Sequence, residues 1–203
     1  MRVTMRPVIL LLISSLFLST LVACVGLNKS KQNIAVYDFG LSVPDETKPK
    51  ITLKLSLEEL SAADTLNQQN IRYRLNYQNP TRVFVYNDSR WATTPTELLL
   101  NKLSKMVSLR QPSMNCGLQL KIEAFDHVFQ TKTISDGFIQ MSATVVEKKS
   151  KKIISSQLMT ESVRSLSANA QGGTAAMQQA SENALKKAIQ WANEIADNNE
   201  TCK

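Results

Sequence analysis

One histidine, three cysteines and six glycines are spread over the 203 residues of this chain. Each shortage removes a class of chemistry. A zinc site needs about four nitrogen or sulfur ligands, and His127 has no second histidine to join it. No GxSxG turn, no phosphate-cradling GxxxxGK[ST] loop and no HExxH pair occurs. The acidic residues are scattered, without a paired set. Asp126 beside His127 invites an acid–base reading, but adjacent strand residues point to opposite faces, so His127 is expected at the surface or at an edge. The expectation is a protein that is not an enzyme and holds no cofactor and no metal.

What is present begins at the N-terminus. Arg2 and Arg6 precede an apolar run over residues 8–18, followed by Leu21, Val22, Ala23 and Cys24. The run is too short, and wrongly flanked, for an ordinary spanning helix. A small residue followed by Cys here resembles the bacterial lipoprotein cleavage box, which implies a signal peptide over residues 1–23 and lipidation at Cys24. Several acyl chains anchor a protein stably. Val25 stands where inner-membrane retention usually calls for Asp, so the expected address is the outer membrane, facing the periplasm. Residues 24–33 then form a lipidated tether, and residues 34–203 a folded domain.

Without Arg2 and Arg6 the chain has 22 basic residues against 17 acidic, a net charge of +5. The surplus is dispersed except for the run Lys148, Lys149, Ser150, Lys151 and Lys152, which sits between two strand-like segments as a solvated turn. Aromatics do not interleave with it, so nucleic acid is not an expected partner. With Cys24 lipidated, Cys116 and Cys202 remain, and in an oxidising compartment that pair reads as a disulfide.

Alternating apolar residues predict strands at 34–39, 51–58, 71–77, 83–86, 118–129, 138–146 and 153–163. Thr94, Pro95, Thr96 and Glu97 have the form of a capping box with Pro at the first helical position. The helix they start is expected to run to about residue 109, with Leu99, Leu103 and Met106 on one face. A second helix is expected over 175–198, after a breaker containing Gly172 and Gly173. Its stripe is Met177, Ala180, Ala184, Ala188, Trp191 and Ile195. The fold class is α+β, a single domain with a mixed, mostly antiparallel sheet of about seven strands and two helices packed on it.

Between the third strand and the first helix lie Tyr73, Tyr86, Arg90, Trp91 and Pro95. Two readings of this group stay open. It is a structural corner that buries aromatic area and keeps a polar tip wet, or a patch whose aromatic and arginine anchors dock a partner. Arg90 is expected either to stack on a ring or to pair with Glu97.

Four segments in order then carry a resemblance: "YDFG" at 37–40, "IRYRLNYQNPTRVFVYNDSRWATTPTELLLNKL" at 71–103, "LKIEAFDHVF" at 120–129 and "SANAQGGTAAMQQASENALKKAIQWANEI" at 167–195. Behind a lipobox, they resemble the ABC-type transport auxiliary lipoproteins, accessory components of mammalian-cell-entry (MCE) lipid transport systems, also described as paraquat-inducible auxiliary lipoproteins. That resemblance implies an accessory role in lipid transport between the two membranes. The implied partners are an MCE-domain protein and an inner-membrane ABC permease and ATPase, with phospholipid or a sterol-like lipid as cargo and self-association open. A rival expectation, with the same anchor and disulfide, is an outer-membrane assembly or secretion-pilot lipoprotein that chaperones a β-rich partner.

Overall fold

A computed structural model describes residues 33–41, 50–109, 113 and 115–203. The signal peptide, Cys24 and nearly all of the tether lie outside these residues. The chain from Ile34 to Lys203 forms one unit. Its main sheet is seven-stranded and mixed.

The strands follow the alternation. β1 is Ala35–Tyr37, β2 Ile51–Leu53, β3 Ser56–Ala62, β4 Asn70–Leu75 and β5 Val83–Trp91. After helix α1, Pro95–Met106, come β6 Val107–Leu109, β7 Cys116–Phe129, β8 Ser135–Glu147 and β9 Ile153–Arg164; helix α2 is Ala170–Asn198. The order across the main sheet is β1-β5-β4-β7-β8-β9, and β3 also pairs with β7. β7 is long enough to take two parallel neighbours on one side: β3 along its first half and β4 along its last three residues. The hairpins β4–β5, β7–β8 and β8–β9 are antiparallel. β2 and β6 form a separate two-stranded parallel sheet.

The α+β architecture read from the sequence is what the fold shows, with three local corrections. First, the alternation over 51–58 is two strands. The chain bends at Lys54, whose amide donates to Asn193 Oδ1 at 2.9 Å, while Asn193 Nδ2 donates to Thr52 O at 2.7 Å. Second, α1 ends at Met106 and the next three residues are strand β6. Third, Gly172 and Gly173 are no breaker but lie in the first turn of α2, capped by Asn169 Oδ1, which accepts from the Gly172 amide at 3.0 Å.

α2 covers one face of the sheet. Ile139, Met141, Ala143 and Val145 of β8 meet its buried seam of Met177, Ala180, Ala184, Leu185, Ala188 and Ile189. Late in the helix the seam passes to Ala192 and Ala196, leaving Trp191 and Ile195 half-buried. Small residues let the helix sit close: a Cβ on Gly137 would lie 2.1 Å from the Met177 amide nitrogen. The opposite face is polar and laced by hydroxyls. Thr144 Oγ1 and Ser156 Oγ lie 3.0 Å apart, and Ser142 Oγ donates to Glu123 Oε1 at 2.8 Å.

Cys116 and Cys202 are disulfide-bonded across 86 residues, with Cα atoms 5.1 Å apart. The bond ties the last turn to the start of β7. By chain entropy a loop of that length contributes up to about 4–5 kcal/mol.

Candidate functional site

β7 brings two buried titratable neighbours to the middle of the sheet. Asp126 is 1 % exposed and His127 0 %. As strand alternation requires, they face opposite sides. His127 at the surface or at an edge is therefore corrected: β4 and β8 flank it, and α2 lies over its ring.

On the bare side, Asp126 accepts from two arginines of β4. Arg72 Nε donates to Oδ1 and Arg74 Nε to Oδ2, each at 2.8 Å. Both arginines are at i and i+2 on one strand, so one carboxylate can reach both. Arg74 Nη1 also donates to Pro80 O at 3.1 Å, tying the clamp to the β4–β5 turn.

On the helix side, His127 Nδ1 lies 2.9 Å from the Tyr86 hydroxyl and Nε2 lies 3.3 Å from Ser165 Oγ. Tyr86 and Phe129 rings flank the imidazole, and Tyr73 packs between Tyr86, Phe84 and Phe129. Gly173 of α2 closes the top, for a Cβ there would lie 2.3 Å from Nδ1. Burial pushes the His127 pKa down to about 4, against a smaller upward pull from the Asp136 carboxylate. Burial also raises the Tyr86 phenol, helped by Tyr73, Asp88 and Tyr37. Both groups are therefore neutral near pH 7. A Ser–His–Tyr series has the outline of an activated nucleophile, but this imidazole is sealed beneath helix and rings, with both nitrogens in hydrogen bonds. Its geometry serves packing.

The five corner residues separate. Tyr73 and Tyr86 belong to the imidazole cage. Trp91 is fully buried, stacked on Phe125 at 5.5 Å and edge-on to Phe39 at 5.9 Å. Pro95 is buried at the first position of α1. Arg90 points outward on β5 and is exposed. Among the described residues it makes neither of the contacts expected of it; the arginine that stacks is Arg82, over Phe84 at 4.5 Å. The capping box is also absent. Thr94 is the N-cap without a side-chain cap bond, and Asn67 Oδ1 accepts instead from Thr96 Oγ1 at 2.7 Å and the Thr96 amide at 3.3 Å.

The residues that sequence reasoning missed are Arg72, Arg74 and Ser165. The arginines alternate with Tyr73 in plain view, but their carboxylate lies more than 50 residues on. Among the described residues no group of three or more His, Cys, Asp or Glu side chains could hold a metal ion, and no helix is long and apolar enough to cross a membrane.

No family model matches the chain, and no curated protein matches it. Solved structures share the fold. A Xanthomonas campestris protein described under the family-model name DUF330 superposes with TM-score 0.64 at 18 % identity, over 80 % of this chain and 97 % of its own. A structure described as an uncharacterized protein superposes with TM-score 0.52 at 10 % identity, over 80 % and 99 %. A third, from Caulobacter crescentus, has the word lipoprotein in its description but reaches only TM-score 0.33 over 50 % of this chain, too slight a likeness to argue from. The resemblance to the ABC-type transport auxiliary and paraquat-inducible lipoproteins is thereby corrected: the family name attached to the shared fold is DUF330, and nothing in these comparisons points to an MCE auxiliary. The quoted segments have a physical reading without it. Tyr73, Trp91, Phe129 and the Gly172–Gly173 pair are the packing positions of this fold. At these identities the likeness establishes the fold alone.

Proposed function

We propose that the chain is a lipid-anchored, periplasm-facing accessory protein of the bacterial envelope that works by docking a protein partner and performs no chemistry of its own. The carrying observation is the leader ending in Leu21, Val22, Ala23 and Cys24. The interior supports the non-enzymatic half: its one imidazole is sealed, and its buried carboxylate Asp126 is held by two arginines. Val25 after the cysteine favours the outer membrane. Within this class, accessory work in lipid transport between the inner and outer membranes suits an anchored, partner-docking domain.

The anchor is tested by fatty-acid labelling. Cys24→Ser should abolish incorporation and leave the leader uncleaved; normal labelling of that variant rejects the anchor. The partner is tested by crosslinking in membranes, pull-down and mass spectrometry of the proteins and lipids recovered. Recovery of an MCE-domain protein or an ABC permease supports the transport role. Recovery of a β-rich outer-membrane assembly partner instead replaces it with the chaperone role.

A further inference from the structure

The sheet ends on one side in β1, three residues long, and on the other in β9, which has twelve. Long edge strands are association sites unless something blunts them, such as Pro, projecting charge, a bulge or a covering segment. β9 contains no Pro and no Lys. Its two charged side chains are engaged within their own subunit: Glu161 pairs with Lys187 of α2, and Arg164 Nε lies 3.2 Å from Asp136 Oδ1. The register with β8 runs without a break from Ser155 opposite Val145 to Arg164 opposite Asp136; its one irregularity lies beyond, at Val145/Val146. Among the described residues no strand pairs with β9 on the side away from β8. Every second residue of such an edge directs its N–H and C=O outward.

From this edge we infer that β9 is a self-pairing strand: two copies of the chain join β9 to β9, antiparallel, about a two-fold axis at Leu158. Leu158 sits mid-strand and is 53 % exposed. The two-fold sets the two leucines side by side and covers both. It places Ser156 opposite Thr160 of the second copy, hydroxyl against hydroxyl, and Glu161 opposite Ser155. The one like-charged meeting is Arg164 with Lys152, at the ends of the ladder, where each Arg164 already has its own Asp136. A neutral edge offers no counter-charge to an acidic or basic peptide, whereas an identical neutral edge fits it and gives a closed, isologous pair. Edge pairing buries less than the roughly 1,200–2,000 Å² of a stable interface, so the dimer is concentration-dependent.

The test uses the full chain, purified in detergent at high protein concentration under mild oxidation. Leu158→Cys should give a disulfide-linked dimer. Ser156→Cys alone should give none, yet should cross-link when mixed with Thr160→Cys. Leu158→Lys should shift the chain from dimer to monomer in sedimentation, while its melting temperature at dilution, where the parent is also monomeric, stays unchanged. A Leu158→Cys chain that remains monomeric overturns the proposal. So does cross-linking of Ser156→Cys to itself as readily as Leu158→Cys, which would mean no defined register, and so does a Leu158→Cys adduct in membranes with a different protein and never with a second copy.

Discussion

Asp126 and His127 are covalent neighbours, both buried within one strand, and the fold handles them in opposite ways. The carboxylate is met by two guanidinium groups of β4, each at 2.8 Å. The imidazole gives up its charge because rings, a helix and two neutral hydroxyls surround it. A buried ion needs partners to offset its lost hydration, whereas a buried neutral group needs only its hydrogen bonds made. The two sides of β7 should therefore fail differently when disturbed.

The largest effect is expected on the charged side. Asp126→Ala leaves Arg72 and Arg74 together, half-buried, without their carboxylate. Breaking such an arrangement costs about 3–5 kcal/mol, a fall in Tm of roughly 10 °C for a domain of this size. Arg72→Ala, which leaves Arg74 on the carboxylate, should cost less. Equal losses from the two substitutions, measured by thermal melting, would show that Arg74 alone does not hold the carboxylate.

The neutral side should show itself through pH. His127 has a folded pKa of about 4 against 6.5 in an unfolded chain. Its folded value is depressed, so its contribution is complete above pH 6.5 and is lost as pH falls from 6.5 towards 4. At 1.36 kcal/mol per unit the loss is at most about 3 kcal/mol. Denaturant unfolding at pH 7 and pH 4.5 measures it, and His127→Gln should flatten the dependence in that window. An unchanged slope in the variant would assign the acid sensitivity to carboxylates elsewhere.

Both environments were only half legible in the sequence. The alternation along 118–129 gave the strand and put the two residues on opposite faces, because period 2 is a local property. The partners are not local: Arg72 and Tyr86 come from strands more than 40 residues earlier, and Gly173 comes from a helix more than 40 residues later. One signal pointed to the cage. Two adjacent glycines in the first turn of a helix have a local cost, so they mark a close approach, which here is onto the imidazole for Gly173 and onto Ser167 for Gly172. The split of β2 from β3 was hidden for a related reason, since the bend at Lys54 is held by Asn193, 139 residues away. The disulfide was legible because, with Cys24 read as the lipidation site, two cysteines are left and allow one pairing.

A milder probe of the cage is Gly173→Ala. The added methyl would meet the imidazole at 2.3 Å, so helix or ring must shift, at a cost of about 1–3 kcal/mol. The double variant Gly173→Ala with His127→Ala should recover part of that loss by removing the ring. A double variant as unstable as the sum of the two single changes would place the strain somewhere other than the ring.

The smallest expected effect on stability is at Arg90, and it distinguishes the bare face from the packed one. Arg72 and Arg74 share that bare side of the sheet and are tied to Asp126, whereas Arg90, opposite Asn70 of β4 and Val36 of β1, is exposed. Substitution of an exposed residue away from caps, cores and buried pairs usually changes stability by within about 0.5 kcal/mol. Arg90→Ala should therefore melt with the parent protein. Its neighbour Trp91, fully buried between Phe39 and Phe125, should lose about 3–5 kcal/mol on truncation to Ala. The corner thus divides within two residues into a packed half and a presenting half. Exposed Val36 of β1 is the register partner of Arg90 on this face, and arginine is among the residues enriched at interface hot spots. If the face docks the proposed partner, Arg90→Ala should weaken recovery of that partner in pull-down at unchanged Tm. Full recovery at unchanged Tm removes Arg90 from the docking face, and a lowered Tm would mean that Arg90 is part of the packed corner after all.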